Sequence, residues 1–198
     1  EGIKLLDKVI NQDKLMALKH KAVITKVSVH NLDKNYVEAF ALINKLIPML
    51  KTIDNKESYQ EALFVIAVFY NRLAQYHLSK EYLSKRMNNM PSPQQQCTSS
   101  MLQVEAAFRL KELTWENIAD NKVLVCEQEQ ESLASSIIYS FMANWYLEQN
   151  KPEMALDLLI RKKPLAKTTQ YYLIENVLIA KSYFHDSETE ILKDFSRK

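Results

Sequence analysis

The sequence predicts an all-α protein made of antiparallel helix pairs stacked in series. Three observations lead there. Glycine occurs once in 198 residues, at Gly2, which leaves no Asn–Gly hairpin turns and argues against a β-meander. Apolar residues recur at steps of three and four along nearly the whole chain. A set of small and aromatic packing positions returns every 37 to 40 residues.

The elements follow in order. The opening IKLLDKVI reads as a helix, and KLMALKHKAVITKVSVH places Leu15, Leu18, Ala22 and Val23 on one face. Its β-branched VITKVSV is the best strand candidate, but helical flanks on both sides overrule it. In YQEALFVIAVFYNRLAQY, Leu63, Ile66, Ala67, Tyr70 and Leu73 share a face. Breaks fall near Asn11–Asp13, Asn31–Lys34, Asp54–Lys56, Ala74–Gln75, Pro91–Pro93, Lys111–Thr114, Glu127–Glu131, Asn150–Pro152, Pro164–Lys167 and Asp186–Ser187. Ser92 before Pro93, and Thr114 with Asn117, fit N-terminal caps. Pro152 fits a first helical turn, and Pro48 inside INKLIPMLK predicts a kink.

Aligned on NWYLEQNKPEMALDLL, the chain shows five copies of one pattern. A small or β-branched residue is followed three later by an aromatic and four later by a polar corner. A second small residue follows. The clearest copy has Ala143, Tyr146, Asn150 and Ala155. The others have Val27, His30, Lys34 and Ala39; Ala67, Tyr70, Ala74 and Ser79; Val104, Ala107, Lys111 and Glu116; and Ala180, Tyr183, Ser187 and Leu192. Small residues on both helices let them approach closely, and the aromatic fills the wedge toward the next pair.

These copies resemble the tetratricopeptide repeat (TPR) family. Ala67, Tyr70, Tyr76, Ser79, Leu83 and Pro91 stand where that family places its small, aromatic and proline residues, as do Ala143, Tyr146, Ala155 and Leu159. The departures are the missing corner glycine, a period a few residues longer than the family's roughly 34, and a degenerate third copy. The resemblance implies a right-handed superhelix of about five pairs, the terminal ones incomplete, forming a single domain over residues 1–198. More narrowly, YNRLAQYHLSKEYLSKRMNNMPSPQQQC followed by LEQNKPEMALDLL is similar to N-terminal TPR regions of bacterial diguanylate cyclases, the GGDEF signalling enzymes. TPR regions of bacterial transcription regulators, including peptide-pheromone sensors, share the same look. Either resemblance implies a regulatory or sensory region, with any catalytic domain elsewhere in a longer protein from which this chain is a fragment.

Chemistry is sparse in the sequence. With its one glycine at position 2, the chain has no P-loop, dinucleotide fingerprint, nucleophile elbow or kinase loop. His20, His30, His77 and His185 show no metal-ligand spacing, and the carboxylates of NWYLEQNKPE and CEQEQE read as corner charges. No catalytic, metal or cofactor residue is therefore assigned, and a stand-alone helical-bundle enzyme is the competing class. The net charge of +2 offers no polybasic footprint for nucleic acid. No apolar run reaches the roughly 18–20 residues that span a bilayer. Cys97 and Cys126 fit no metal or redox spacing, so they read as buried free thiols in a reducing, cytoplasmic setting.

What remains is a surface. In a TPR superhelix the first helix of each pair lines the concave wall. Residues beside the packing positions then face a protein or peptide partner. Those are Asn31, Asn71, Arg72, Glu105, Phe108, Arg109, Asn144, Leu147, Glu148 and Lys181, with Ser28, Val68 and Phe184 nearby. Asn suits an extended peptide backbone, and Arg can fork a carboxylate. Ile24, Ser28, Phe64 and Val68 occupy positions where chaperone-tail clamps of this family carry carboxylate-gripping residues, so that partner is not expected. A homodimer through exposed end helices is the other route.

Overall fold

A computed structural model of the protein describes residues 2–11, 16–114, 122–129 and 132–161. All the regular structure among them is helical: α1 (Gly2–Ile10), α2 (Met16–Leu32), α3 (Tyr36–Met49), a 3₁₀ turn (Leu50–Thr52), α4 (Lys56–Arg72), α5 (Tyr76–Asn88), α6 (Pro93–Arg109), α7 (Lys122–Gln128), α8 (Ser132–Glu148) and α9 (Pro152–Arg161). The strand candidate VITKVSV lies within α2. The chain divides at Pro91 and Ser92 into two compact units.

In the first unit, α2 pairs with α3 and α4 with α5, while α2 also packs on α4 and α1 lies along α2. The small positions Val27, Ala39, Ala67 and Ser79 are all fully buried. Around them Ile24, Ile43, Leu46, Leu63, Ile66, Phe69 and Leu83 fill the core, each such side chain contributing about 1.5–3 kcal/mol relative to exposure. Phe40 of α3 stacks on Phe69 of α4 at 6.2 Å, joining one pair to the next. Within the second pair Tyr70 stacks on Tyr82 at 5.8 Å. Pro48 occupies the last turn of α3, which ends one residue later in the 3₁₀ turn.

In the second unit, α6 packs on α7 and α8, and α8 on α9. Ser92 caps α6 with its hydroxyl on the Gln95 N–H, and the Gln95 side chain accepts from the Ser92 N–H. That capping box, with Pro93 at the first position, fixes where the helix starts. Pro152 opens α9 in the same permissive first turn.

The four first helices α2, α4, α6 and α8 each run 17 residues over the described chain. Each ends in the same corner. Lys34, Ala74, Lys111 and Asn150 have φ of 57°, 57°, 57° and 56°, the left-handed region. In each corner the following N–H reaches back to the carbonyl of the aromatic position: Asn35 to His30 at 2.9 Å, Gln75 to Tyr70 at 2.8 Å, Glu112 to Ala107 at 2.8 Å and Lys151 to Tyr146 at 2.9 Å. This is a Schellman motif, repeated at steps of 40, 37 and 39 residues. The residues expected to replace a corner glycine therefore adopt the backbone that glycine would favour. The fifth copy (Ala180, Tyr183, Ser187, Leu192), Glu116 and Asn117 of the Thr114–Asn117 cap lie outside the described residues.

Candidate functional site

The proposed inner wall resolves into three register positions. The first, beside the aromatic, holds Asn31, Asn71, Phe108 and Leu147. It was expected to face a partner, and in the first unit it does not. Asn31 is 3% exposed and Asn71 is 7% exposed. Asn31 Nδ2 donates to the Val65 carbonyl of α4 at 3.4 Å, and its own carbonyl accepts a bond from Arg72 Nη1. The side-chain N–H can tie two helices here because it finds a backbone carbonyl as the second pair docks. Arg72 is exposed but committed to this junction.

The same register in the second unit has different chemistry. Phe108 of α6 meets Phe141 of α8 with ring centroids 5.4 Å apart. Phe108 and Phe141 are displaced by 77 and 76 residues from Asn31 and Val65, which is one two-repeat shift. The first position is thus a junction between successive pairs, polar in one unit and aromatic in the other. Leu147 is half-buried against Ala143, Tyr146, Ala155 and Leu159.

The second position holds Ser28, Val68, Glu105 and Asn144, all half-buried. Ser28 and Asn144 return their side chains to their own helices, Ser28 Oγ to Ile24 O at 3.2 Å and Asn144 Nδ2 to Ser140 O at 3.0 Å. The third position, at the helix end, holds Leu32, Arg72, Arg109 and Glu148, all exposed. Arg109 also lies 6.0 Å from the Phe141 ring centroid, a cation–π distance. The second unit thus gathers Glu105, Phe108, Arg109, Phe141, Asn144 and Glu148 on α6 and α8. Phe141 was not singled out in the sequence. Lys181 and Phe184 lie outside the described residues.

Two further features bear on chemistry. A pocket of about 380 Å³ opens beside α9, lined by Tyr146, Glu153, Met154, Asp157 and Leu158. Arg86 is buried with its guanidinium 4.4 Å from the Phe64 ring. Burial pulls its pKa down to about 10, and the nearby Glu61 carboxylate opposes the shift, so it stays charged near neutrality. Among the described residues no three His, Cys, Asp or Glu side chains cluster to hold a metal. No helix among them is long and apolar enough to cross a membrane.

The cysteines require a correction. Cys97 and Cys126 are not separate thiols: they form a disulfide between α6 and α7, across 29 residues and fully buried. The spacing rules for metal and redox motifs are silent on such a pair, because it closes a long loop between two helices. The expectation of a reducing compartment rested on free thiols and loses that basis.

The bond has counterparts earlier in the chain. Gln60 Nε2 donates to the carbonyls of Arg86 and Asn89, both at 3.1 Å. Gln60 and Asn89 shifted by 37 residues are Cys97 and Cys126. Shifted back by 40 they are His20 and Met49. There the Thr52 hydroxyl donates to Met49 O at 2.8 Å and lies 3.2 Å from His20 Nε2. With its proton on that carbonyl, the hydroxyl accepts from His20. All three pairs tie the first helix to the end of the second at one register, through a bridging hydroxyl, an amide or a disulfide. The repeat step, applied to these residues, was the signal that could have found them. No family model, curated protein or solved structure matches the chain.

Proposed function

We propose that this chain is a non-catalytic, TPR-like helical-repeat scaffold that binds a protein or peptide through the first helices of its pairs. The observation that carries the reading is the corner repeated at Lys34, Ala74, Lys111 and Asn150 with one geometry. Units built by one rule present equivalent residues at equivalent places, and binding surfaces of repeat proteins grow from that regularity. Burial of Asn31 and Asn71 moves the proposed contact surface to Glu105, Arg109, Asn144 and Glu148, around the Phe108–Phe141 pair. Its mixed charge and flanking aromatics suit a peptide carrying both signs of charge and an apolar anchor.

The resemblance to repeat regions of bacterial diguanylate cyclases supports placing this module as the regulatory region of a larger signalling protein. The test is affinity capture of partners, identified by mass spectrometry, with wild type and Arg109→Ala/Asn144→Ala. The same partners should be recovered at least fivefold less with the variant, while its thermal melt stays close to wild type. Equal recovery would remove this surface from consideration.

A further inference from the structure

We propose that Cys97 and Cys126 are a substrate pair for a protein disulfide donor, and that the chain matures and works in an oxidising compartment outside the cytoplasm. The sequence has two cysteines, and one bond consumes both. Their Cα atoms lie 4.8 Å apart, a separation that a disulfide bridges without backbone movement. The fold brings them there by the same register that joins Gln60 to the Asn89 carbonyl and sets His20 beside Thr52. In those two pairs hydrogen bonds make the tie. Here the facing groups are two sulfurs, and a thiol is a weak donor and a weak acceptor.

A bond in this place is a permanent one. Both cysteines are 0% exposed, within a core cluster that includes Val104, Leu113, Ile138 and Met142. Reactive cysteines sit partly exposed, where an oxidant or reductant can reach them. Disulfides are rare in the cytoplasm, where glutathione and thioredoxin keep thiols reduced, and those that form are mostly of that transient, reachable kind. Sealed, structural disulfides belong to secreted and extracytoplasmic proteins. Burial also sets the order of events, since the donor must meet the thiols before α6 and α7 close over them. One cysteine thiolate attacks the donor's disulfide, forming a mixed disulfide and expelling the donor's other sulfur as a thiolate. The second cysteine then attacks the mixed disulfide, closing the Cys97–Cys126 bond and expelling the donor's remaining sulfur. Two electrons and two protons pass to the donor, which leaves as a dithiol. A repeat scaffold so placed meets its peptide outside the cytoplasm. That consequence alone rests on the scaffold reading, whereas thiol state and location do not.

The experiment uses the full-length protein in the cells that make it. Rapid acid quenching, then a maleimide that adds visible mass to each free thiol, reads the bond on a denaturing gel. Essentially every chain should lack both additions at Cys97 and Cys126, and both should return after reduction. Cells deprived of their disulfide donor should show the doubly labelled chain instead. Protease admitted only outside the cytoplasmic membrane should digest the repeat region while a cytoplasmic enzyme stays intact. Two free thiols in unstressed cells, a bond that forms equally well without the donor, or a repeat region shielded along with the cytoplasmic enzyme would each overturn the proposal.

Discussion

Arg72, at the end of α4, donates to the backbone carbonyl of Asn31 at the end of α2. Asn31 in turn sends its side-chain amide to the Val65 carbonyl of α4, so two polar links cross in opposite directions at one junction. Asn31→Ala should cost about 1–2 kcal/mol, the value of a buried hydrogen bond with its packing. Arg72→Ala should cost less, about 1 kcal/mol or below, because its side chain is exposed. Both changes loosen the same junction, so the double variant should fall short of the sum by about 0.5 kcal/mol. Urea melts of the four proteins measure this, and strict additivity would show that the links act independently.

The four corners carry a second prediction. Left-handed backbone costs a non-glycine residue roughly 1 kcal/mol, and Lys34, Ala74, Lys111 and Asn150 all bear that strain. Glycine relieves it but adds unfolded-state entropy. The net gain for Ala74→Gly should be about 0.5 kcal/mol, or a rise of about 1–2 °C in Tm. Lys34→Gly and Lys111→Gly should behave alike, and Asn150→Gly should gain least because asparagine tolerates this conformation. Destabilisation at Ala74 by thermal melt would contradict the corner geometry.

The Tyr139–Glu127 bond makes stability respond to alkali. Burial raises the Tyr139 pKa most, and the hydrogen bond and charge of Glu127 raise it further. A folded pKa above the unfolded value near 10 means the phenol's contribution is complete below about pH 10. It is lost as pH rises from there through the folded pKa. Tyr139→Phe should therefore cost about 1 kcal/mol at pH 7, and the gap to wild type should narrow above pH 10. Burial also raises Tyr70, Tyr82 and Tyr146, so both proteins weaken in alkali and the difference isolates Tyr139. A gap that stays constant from pH 7 to 11 would contradict the assignment.

How much of this was legible in the sequence depends on the residue. The corners at Lys34, Ala74, Lys111 and Asn150 were legible because packing residues around them recur, even with no glycine to mark them. The cap at Ser92 was legible because its chemistry is local. Asn31 and Asn71 were misjudged. A single helix's periodicity shows which residues are polar, but not that both will be buried or that Asn31 will find a backbone carbonyl on the neighbouring pair. The Cys97–Cys126 bond was missed because pairing depends on helices 29 residues apart meeting, and neither cysteine carries a local signature. Phe141 was missed for the same reason: its role appears only where α6 meets α8.

The central claim is that successive pairs share one register, in which Gln60 and Asn89 stand to each other as Cys97 and Cys126 do. The most direct test is the double variant Gln60→Cys/Asn89→Cys, oxidised and mapped by mass spectrometry after non-reducing digestion. A second disulfide between positions 60 and 89 should form beside the native one, with a Tm higher when oxidised than when reduced. A folded protein in which those two cysteines stay reduced, or pair elsewhere, would contradict the shared register.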